Sequence, residues 1–245
     1  MDVTIAKDVE SASVSCAEVV RQVISDNSKA RVSFASGTTH VSLYHCLVSM
    51  AREGEVDFGG IEAFGQNEFV GLPASHSASC RHFLDTHLFR PLALKDSQIH
   101  HFNGTGDAFE QCFEMDCQVD SHGIDLMILG LGMNGHVAMC EPDIPLDGRC
   151  AVVDLHAMTL AGLSARIPGV KKPSQAMTIG LRTIQDSRQC VILVSGKEKA
   201  QVLAQALYGP VTSKVPASSL RLHKNARVIC DRAAASETIE RRGHS

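Results

Sequence analysis

A chain of 245 residues with a net charge of −4, 44% hydrophobic residues and a mean hydropathy of +0.01 carries enough apolar material for one large α/β core or two small domains. Mild acidity without any block of like charges, together with an aromatic content of only 4%, leaves little support for a nucleic-acid or membrane-surface partner. No run approaches the roughly 18 apolar residues that cross a bilayer. The opening MDVTIAKDVE also lacks a basic-then-apolar signal pattern, so a cytoplasmic protein is expected.

In chain order, residues 16–26 (CAEVVRQVISD) carry apolar side chains at helical spacing and predict a first helix. Residues 31–35 form a short apolar strand that runs into Ser36, Gly37, Thr38 and Thr39, and then into a helix over 40–52 with a broad buried stripe. A strand, a short Gly/Ser/Thr turn and a helix amino terminus together make an anion site, because free backbone N–H groups and the helix dipole face the ligand. An ordinary helix cap uses the same residue types, and the position after a strand is what favours the anion. Residues 60–64 read as another strand, delivering Gln66-Asn67-Glu68-Phe69-Val70-Gly71-Leu72-Pro73 to the same edge. Helices over 77–88 and 106–121 follow, with a short strand in the 92–101 connection.

Residues 124–131 (IDLMILGL) are a near-continuous apolar run, as expected of a central strand buried on both faces of a parallel sheet. The chain leaves that strand through Gly130, Gly132, Asn134, Gly135 and His136, at the sheet edge where open α/β folds bind ligands. His136 precedes Glu141 by five residues, and a carboxylate that orients an imidazole makes an acid/base unit. The alternative is a loop histidine that only hydrogen-bonds the backbone. Strands over 151–155, 176–181, 190–195 and 227–230 alternate with helices over 158–166 and 197–207, the last bringing Lys197 or Lys199 to the sheet edge. The Pro/Gly-rich, basic stretch 167–173 (IPGVKKP) is a candidate lid, and 233–245 a polar, partly frayed tail.

Nine cysteines are scattered without a C-x-x-C, and the twelve histidines are dispersed, including His76, His82, His87, His100 and His101. Reduced core thiols and surface imidazoles are expected, and no metal site. The end-to-end alternation of strand and helix, with no linker or repeat, predicts a single doubly wound α/β domain over 1–245 with a mostly parallel sheet.

Four segments stand in a telling order: Ser36-Gly37-Thr38-Thr39, Asn67 to Pro73, the loop Gly130 to Pro142, and VSGKEKA at 194–200 followed by Val215-Pro216-Ala217-Ser218. Together they resemble the glucosamine-6-phosphate deaminase/isomerase family, with its galactosamine-6-phosphate branch and its relative 6-phosphogluconolactonase. The resemblance implies a modified Rossmann-like sheet that binds a hexosamine phosphate at the strand ends, without metal or cofactor; a homo-oligomer is left open. It implies His136 as the acid/base that opens the sugar ring, with Glu141 orienting it. Ser36, Gly37, Thr38, Thr39 and Lys199 would hold the phosphate, joined by Arg166. The pairing of Gly135-His136 with Glu141-Pro142 is similar to the deaminase/isomerase pattern more than to the lactonase loop.

The chain departs from that pattern where it matters for chemistry. Asn67 stands where the family uses an aspartate as carbon base, and a neutral amide cannot accept the C2 proton. Asn134 replaces an aspartate found in many deaminases, although the galactosamine-type branch is similar here. Cys140 and Met139 replace Asn and Phe. Three readings follow: a deaminase/isomerase in which Glu68 or a water takes over the missing base, an isomerase or lactonase that uses His136 alone, or a non-catalytic sugar-phosphate binder. Some family members carry a basic allosteric phosphate site soon after the Glu-Pro loop. The corresponding 150–154 stretch (CAVVD) is apolar and ends in an acid.

Overall fold

A computed structural model describes residues 1–166 and 173–242. Seven parallel strands form the central sheet: β1 (Asp2–Ala6), β2 (Arg31–Phe34), β3 (Glu62–Gly65), β5 (Ile99–His100), β6 (Leu126–Leu129), β9 (Gln189–Val194) and β10 (Ala226–Asp231). Their spatial order is β1-β10-β9-β6-β2-β3-β5, so the 124–131 run does supply the middle strand. The chain winds outward from β2 to β5, then returns to the other side of β2 with β6. The direction of winding therefore reverses between β2 and β6, the place where open α/β sheets hold their ligands.

Strand period and helix period together divide the core in two. On β6, Leu126 and Ile128 face one layer while Met127 and Leu129 face the other; on β9, Val191 and Leu193 oppose Cys190, Ile192 and Val194. The first layer is covered by α1 (Val9–Asp26) and α2 (Val41–Arg52), through residues such as Cys16, Val20, Leu43 and Leu47. The second is covered by α4 (Ala108–His122), α6 (Leu181–Gln185) and α7 (Ala200–Tyr208), through Met115, Ile184 and Leu203 among others. Helix α4 shows how local sequence sets the boundaries. The Asp107 carboxylate accepts from the Phe109 and Glu110 N–H groups at its start, and Gly123 leaves it at φ 74°, a left-handed turn that suits glycine.

Several expectations need correction. The N-terminal strand β1 was not anticipated, and α1 begins seven residues before the predicted 16–26 helix because Asp8 caps it by accepting from Ser11 N–H. The predicted 77–88 helix is a short α3 (Cys80–Leu84) continued by a π-helical turn, Asp85–Phe89. Residues 176–181 do not join the main sheet. Here β8 (Gln175–Thr178) pairs antiparallel with both β4 (Asn67–Phe69) and β7 (Ala151–Asp154) in a separate three-stranded sheet. The expected polar tail is also partly structured. Ala234 and Ala235 are fully buried, Asp231 accepts from the Ala234 N–H, and Ser236–Arg242 form α8. The lid expected at 167–173 falls outside the described residues except for Pro173.

Candidate active site

A cleft of about 270 Å³ opens at the carboxyl ends of β2, β3, β6 and β9, across the switch point between β2 and β6. It brings together Ser36, Gly37, Thr38, Thr39, Asn67, Asn134, His136 and Lys199, eight of the twelve residues singled out from sequence. After β2, the chain turns at Gly37 into a 3-10 turn, Thr38–His40, that leads into α2. After β9, Gly196 at φ 98° starts a second 3-10 turn, Lys197–Lys199, ahead of α7. Lys199 reaches across to β6, its Nζ donating to the Leu131 carbonyl at 2.7 Å, and burial pushes its pKa down against the opposing pull of Glu198. Lys197 was the other candidate at this edge and does not line the cleft.

The loop after β6 is pinned from within. Gly132 N–H donates to the His136 carbonyl at 2.8 Å, and His136 N–H donates to the Asn134 side-chain oxygen at 3.2 Å. Gly135, at φ 85°, makes the turn itself. A Cβ there would come within 2.8 Å of the Val215 side chain, which is why this glycine shapes the loop from behind and does not line the cleft. The Glu141 carboxylate is buried and fully engaged: Asn134 Nδ2 donates to Oε2 at 2.7 Å and Thr159 Oγ1 donates to Oε1 at 2.6 Å. His136 Nδ1 lies 3.4 Å from Glu141 Oε2, at ion-pair distance but without hydrogen-bond alignment. Burial alone would raise the Glu141 pKa. The close approach of His136, together with the hydrogen bonds from Thr159 and Asn134, outweighs it and holds the carboxyl down at about 2. Thr159 sits in α5 (Ala157–Arg166), and nothing in its sequence context marked it as a partner of Glu141.

The two residues at the start of β4 have opposite fates. Asn67 is on the cleft wall, its Nδ2 donating to Cys80 Sγ at 3.0 Å. Glu68, the next residue along the strand, faces away, as the strand period requires. Its oxygens accept from Ser79 Oγ (2.6 Å), Cys80 N–H (3.0 Å), Arg81 N–H (3.0 Å) and its own neighbour Phe69 N–H (2.8 Å). Glu68, one of the two expected stand-ins for the base, does not line the cleft. Its carboxylate anchors the amino terminus of α3, 1% exposed, and no carboxylate lines the cleft among the described residues. Arg166 closes α5, and its side chain lies outside the described part of the molecule, so its expected phosphate contact does too. Cys140, in the position read as softening the wall, is turned inward, its thiol donating to the Ile179 carbonyl, and burial pushes its pKa up to about 12. Met139, with Met133 and Met158, does line the cleft. None of the nine cysteines is joined in a disulfide, and no cluster of potential metal ligands occurs among the described residues. His40, missed as a site residue because it reads as the first residue of a helix, also lines the cleft.

A Ser-Gly-Thr-Thr turn, a lysine and a carboxylate-backed histidine thus meet at the switch point of a doubly wound α/β sheet. Comparison with known proteins narrows the class. Residues 6–230 match the family model described as glucosamine-6-phosphate isomerases/6-phosphogluconolactonase, and the chain belongs to that family. It is 35% identical over 243 residues to glucosamine-6-phosphate deaminase 2 of Bacillus subtilis (strain 168), covering 97% of each chain. It is 33% identical over 239 residues to a glucosamine-6-phosphate deaminase of Thermoanaerobacter sp. (strain X514), covering 96% of this chain and 94% of the relative. Among solved structures, a monomeric glucosamine-6-phosphate deaminase superposes with a TM-score of 0.93 at 30% identity, over 97% of this chain and 100% of its own. The 6-phosphogluconolactonase of Trypanosoma brucei shares the fold, with a TM-score of 0.75 at 18% identity over 96% of this chain and 97% of its own.

Proposed function

We propose that the cleft takes a hexosamine 6-phosphate of the glucosamine or galactosamine type and performs the ring-opening half of deaminase/isomerase chemistry well, with the C2-to-C1 proton transfer limited by Asn67. The observation that carries this reading is the cleft wall itself: Asn67 is on it, Glu68 is not, and His136 is the cleft's one histidine backed by a carboxylate. The phosphate would rest on the turn at Ser36, Gly37, Thr38 and Thr39, with Lys199 supplying positive charge. His136 would move the proton from the anomeric hydroxyl to the ring oxygen, breaking the bond between that oxygen and C1. Asn134 and Thr159 keep Glu141 ionised beside the imidazole. Isomerisation to the ketose imine next requires a base at C2, and hydrolysis of that imine releases ammonia. An amide side chain offers no proton acceptor of that strength.

A positioned general base contributes on the order of 10²–10⁴-fold to such a step. Slow ammonia release from glucosamine 6-phosphate and galactosamine 6-phosphate is therefore expected of the unmodified protein, with both sugars still bound. Asn67→Asp should raise ammonia release by at least roughly tenfold, the low end of what a general base supplies. The Cys80 thiol that now accepts from Asn67 can donate to the new carboxylate. Adding His136→Ala should abolish the gain. Fast ammonia release from the unmodified protein, unchanged by Asn67→Asp, would overturn the role given to Asn67. Acid release from 6-phosphogluconolactone, followed in parallel, tests the hydrolytic alternative.

A further inference from the structure

His40 is the least explained polar residue of the molecule. It is 2% exposed, it lines the cleft beside the 36–39 turn, and neither of its ring nitrogens has a hydrogen-bond partner. A buried imidazole with both nitrogens unpaired is costly and uncommon, and it calls for a reason. The ring is wedged between the two loops that build the site. A Cβ on Gly130 would lie 3.0 Å from its Cε1, and a Cβ on Gly37 would lie 3.5 Å from its Nδ1. One face lies near-parallel to the Tyr44 ring at 6.0 Å, and the Tyr44 hydroxyl is committed to the Ala35 carbonyl. Burial dominates and pushes the pKa down to about 4, while the backbone carbonyls of Leu129, at the end of β6, and Gly37, in the turn, lie near the ring nitrogens without hydrogen-bond alignment and favour the charged form. A neutral imidazole has a single N–H and can satisfy one of two carbonyls; an imidazolium donates to both.

We propose that His40 is an anion-coupled clasp: when a dianion occupies the 36–39 turn, His40 takes a proton from solvent and donates from both nitrogens to the Gly37 and Leu129 carbonyls. This rests on the reading that the cleft binds a phosphorylated sugar, and it goes further by tying the anion turn after β2 to the strand end that carries the His136 loop. The other titratable groups near the ring are Tyr44, whose pKa is raised well above its ordinary value by burial, and, across the cleft, Lys199 and His136; no carboxylate lines that space among the described residues. An anion supplies the missing counter-charge. A unit charge about 4 Å away moves a pKa by roughly three units at an effective dielectric of about 20, enough to bring His40 from the acid range to near neutrality.

The test uses sulfate, which stays dianionic between pH 5 and 8 and so contributes no proton of its own. Calorimetric titration of the full chain at pH 6, in buffers of differing ionisation enthalpy, should register uptake of more than about half a proton per sulfate bound. Affinity should tighten by at least about threefold from pH 7.5 to pH 6. His40→Gln should bind sulfate with no uptake and a flat pH profile, with His40→Met as the second variant should the amide fail to fold, while His136→Gln should retain the uptake. Uptake that persists without His40 would assign the proton to His136 or Lys199 and overturn the clasp, as would sulfate binding by the unmodified protein with no proton taken up. Failure to bind either sulfate or a hexosamine 6-phosphate would instead overturn the reading of the cleft itself, and the clasp with it.

Discussion

At the scale of single residues, the site depends on close approach as much as on functional groups. Gly132 shows this most directly: a Cβ there would sit 2.4 Å from His136 Nε2 and 2.5 Å from two ring carbons, so the imidazole rests on bare backbone. The atoms that would have to move are the far end of a side chain still 18% exposed, and the ring can swing away without disturbing the core. Gly132→Ala should therefore change folding stability by less than about 1 kcal/mol. In the Asn67→Asp form it should lower ammonia release on the order of 10²-fold, the contribution of a displaced acid/base group, while hexosamine-phosphate binding persists. Thermal unfolding and initial rates on the same preparations separate these effects, and a loss of stability with activity intact would contradict the account. Such dependence was partly legible from sequence. His136, Glu141 and the glycines between them stand in a recognisable order, whereas Thr159 and His40 were invisible because a threonine and a histidine at ordinary helical positions carry no pattern of their own. Their roles come from what the fold places opposite them.

At the scale of elements, the long apolar runs were readable and the short mixed ones were not. Residues 126–129 and 189–194 are buried on both faces and consist almost entirely of apolar side chains, so their strand character and central place follow from composition. Strand β8 is buried over three of its four residues but belongs to the small antiparallel sheet, a distinction that resides in its partners. Strand β4, three residues long, is the most consequential of these elements because its alternation decides which of Asn67 and Glu68 meets the cleft. The outward-turned Glu68 takes the N–H groups of Cys80 and Arg81 and the hydroxyl of Ser79, so it joins β4 to α3. Glu68→Gln would remove the charge and set an NH₂ group against donors on one side. With hydrogen bonds to charged groups worth about 1.5–3 kcal/mol each, a loss of about 2–4 kcal/mol is expected. Urea unfolding should show a lower midpoint at unchanged slope. Had Glu68 been the base, the same variant would lose turnover at nearly unchanged stability, and that result would sink the assignment of Glu68 as an anchor.

At the scale of the whole molecule, the 150–154 stretch bears on regulation, because it follows the His136 loop and some relatives are expected to hold an activating phosphate there. In this chain it becomes strand β7, at the edge of the small sheet, with Val152 and Val153 packed against the core. Its ends are occupied by acids: the Cys150 N–H donates to Asp116, and the Asp154 carboxylate accepts from Gln175. The neighbouring cation, Arg149, is already paired with Asp120. Among the described residues, a second phosphate approaching this edge would meet the carboxylates of Asp116, Asp120 and Asp154, and like charges at such range disfavour binding. An effector that is repelled there supplies no differential interaction to shift the protein between states. Saturation by hexosamine 6-phosphate, measured as ammonia release in the Asn67→Asp form, should therefore be hyperbolic. Adding an N-acetylated amino-sugar phosphate should change it only by competing at the cleft, raising the apparent KM without raising kcat. A sigmoidal curve that the acetylated ligand straightens would show that a phosphate finds cations elsewhere on the molecule, and would overturn the inference drawn from β7.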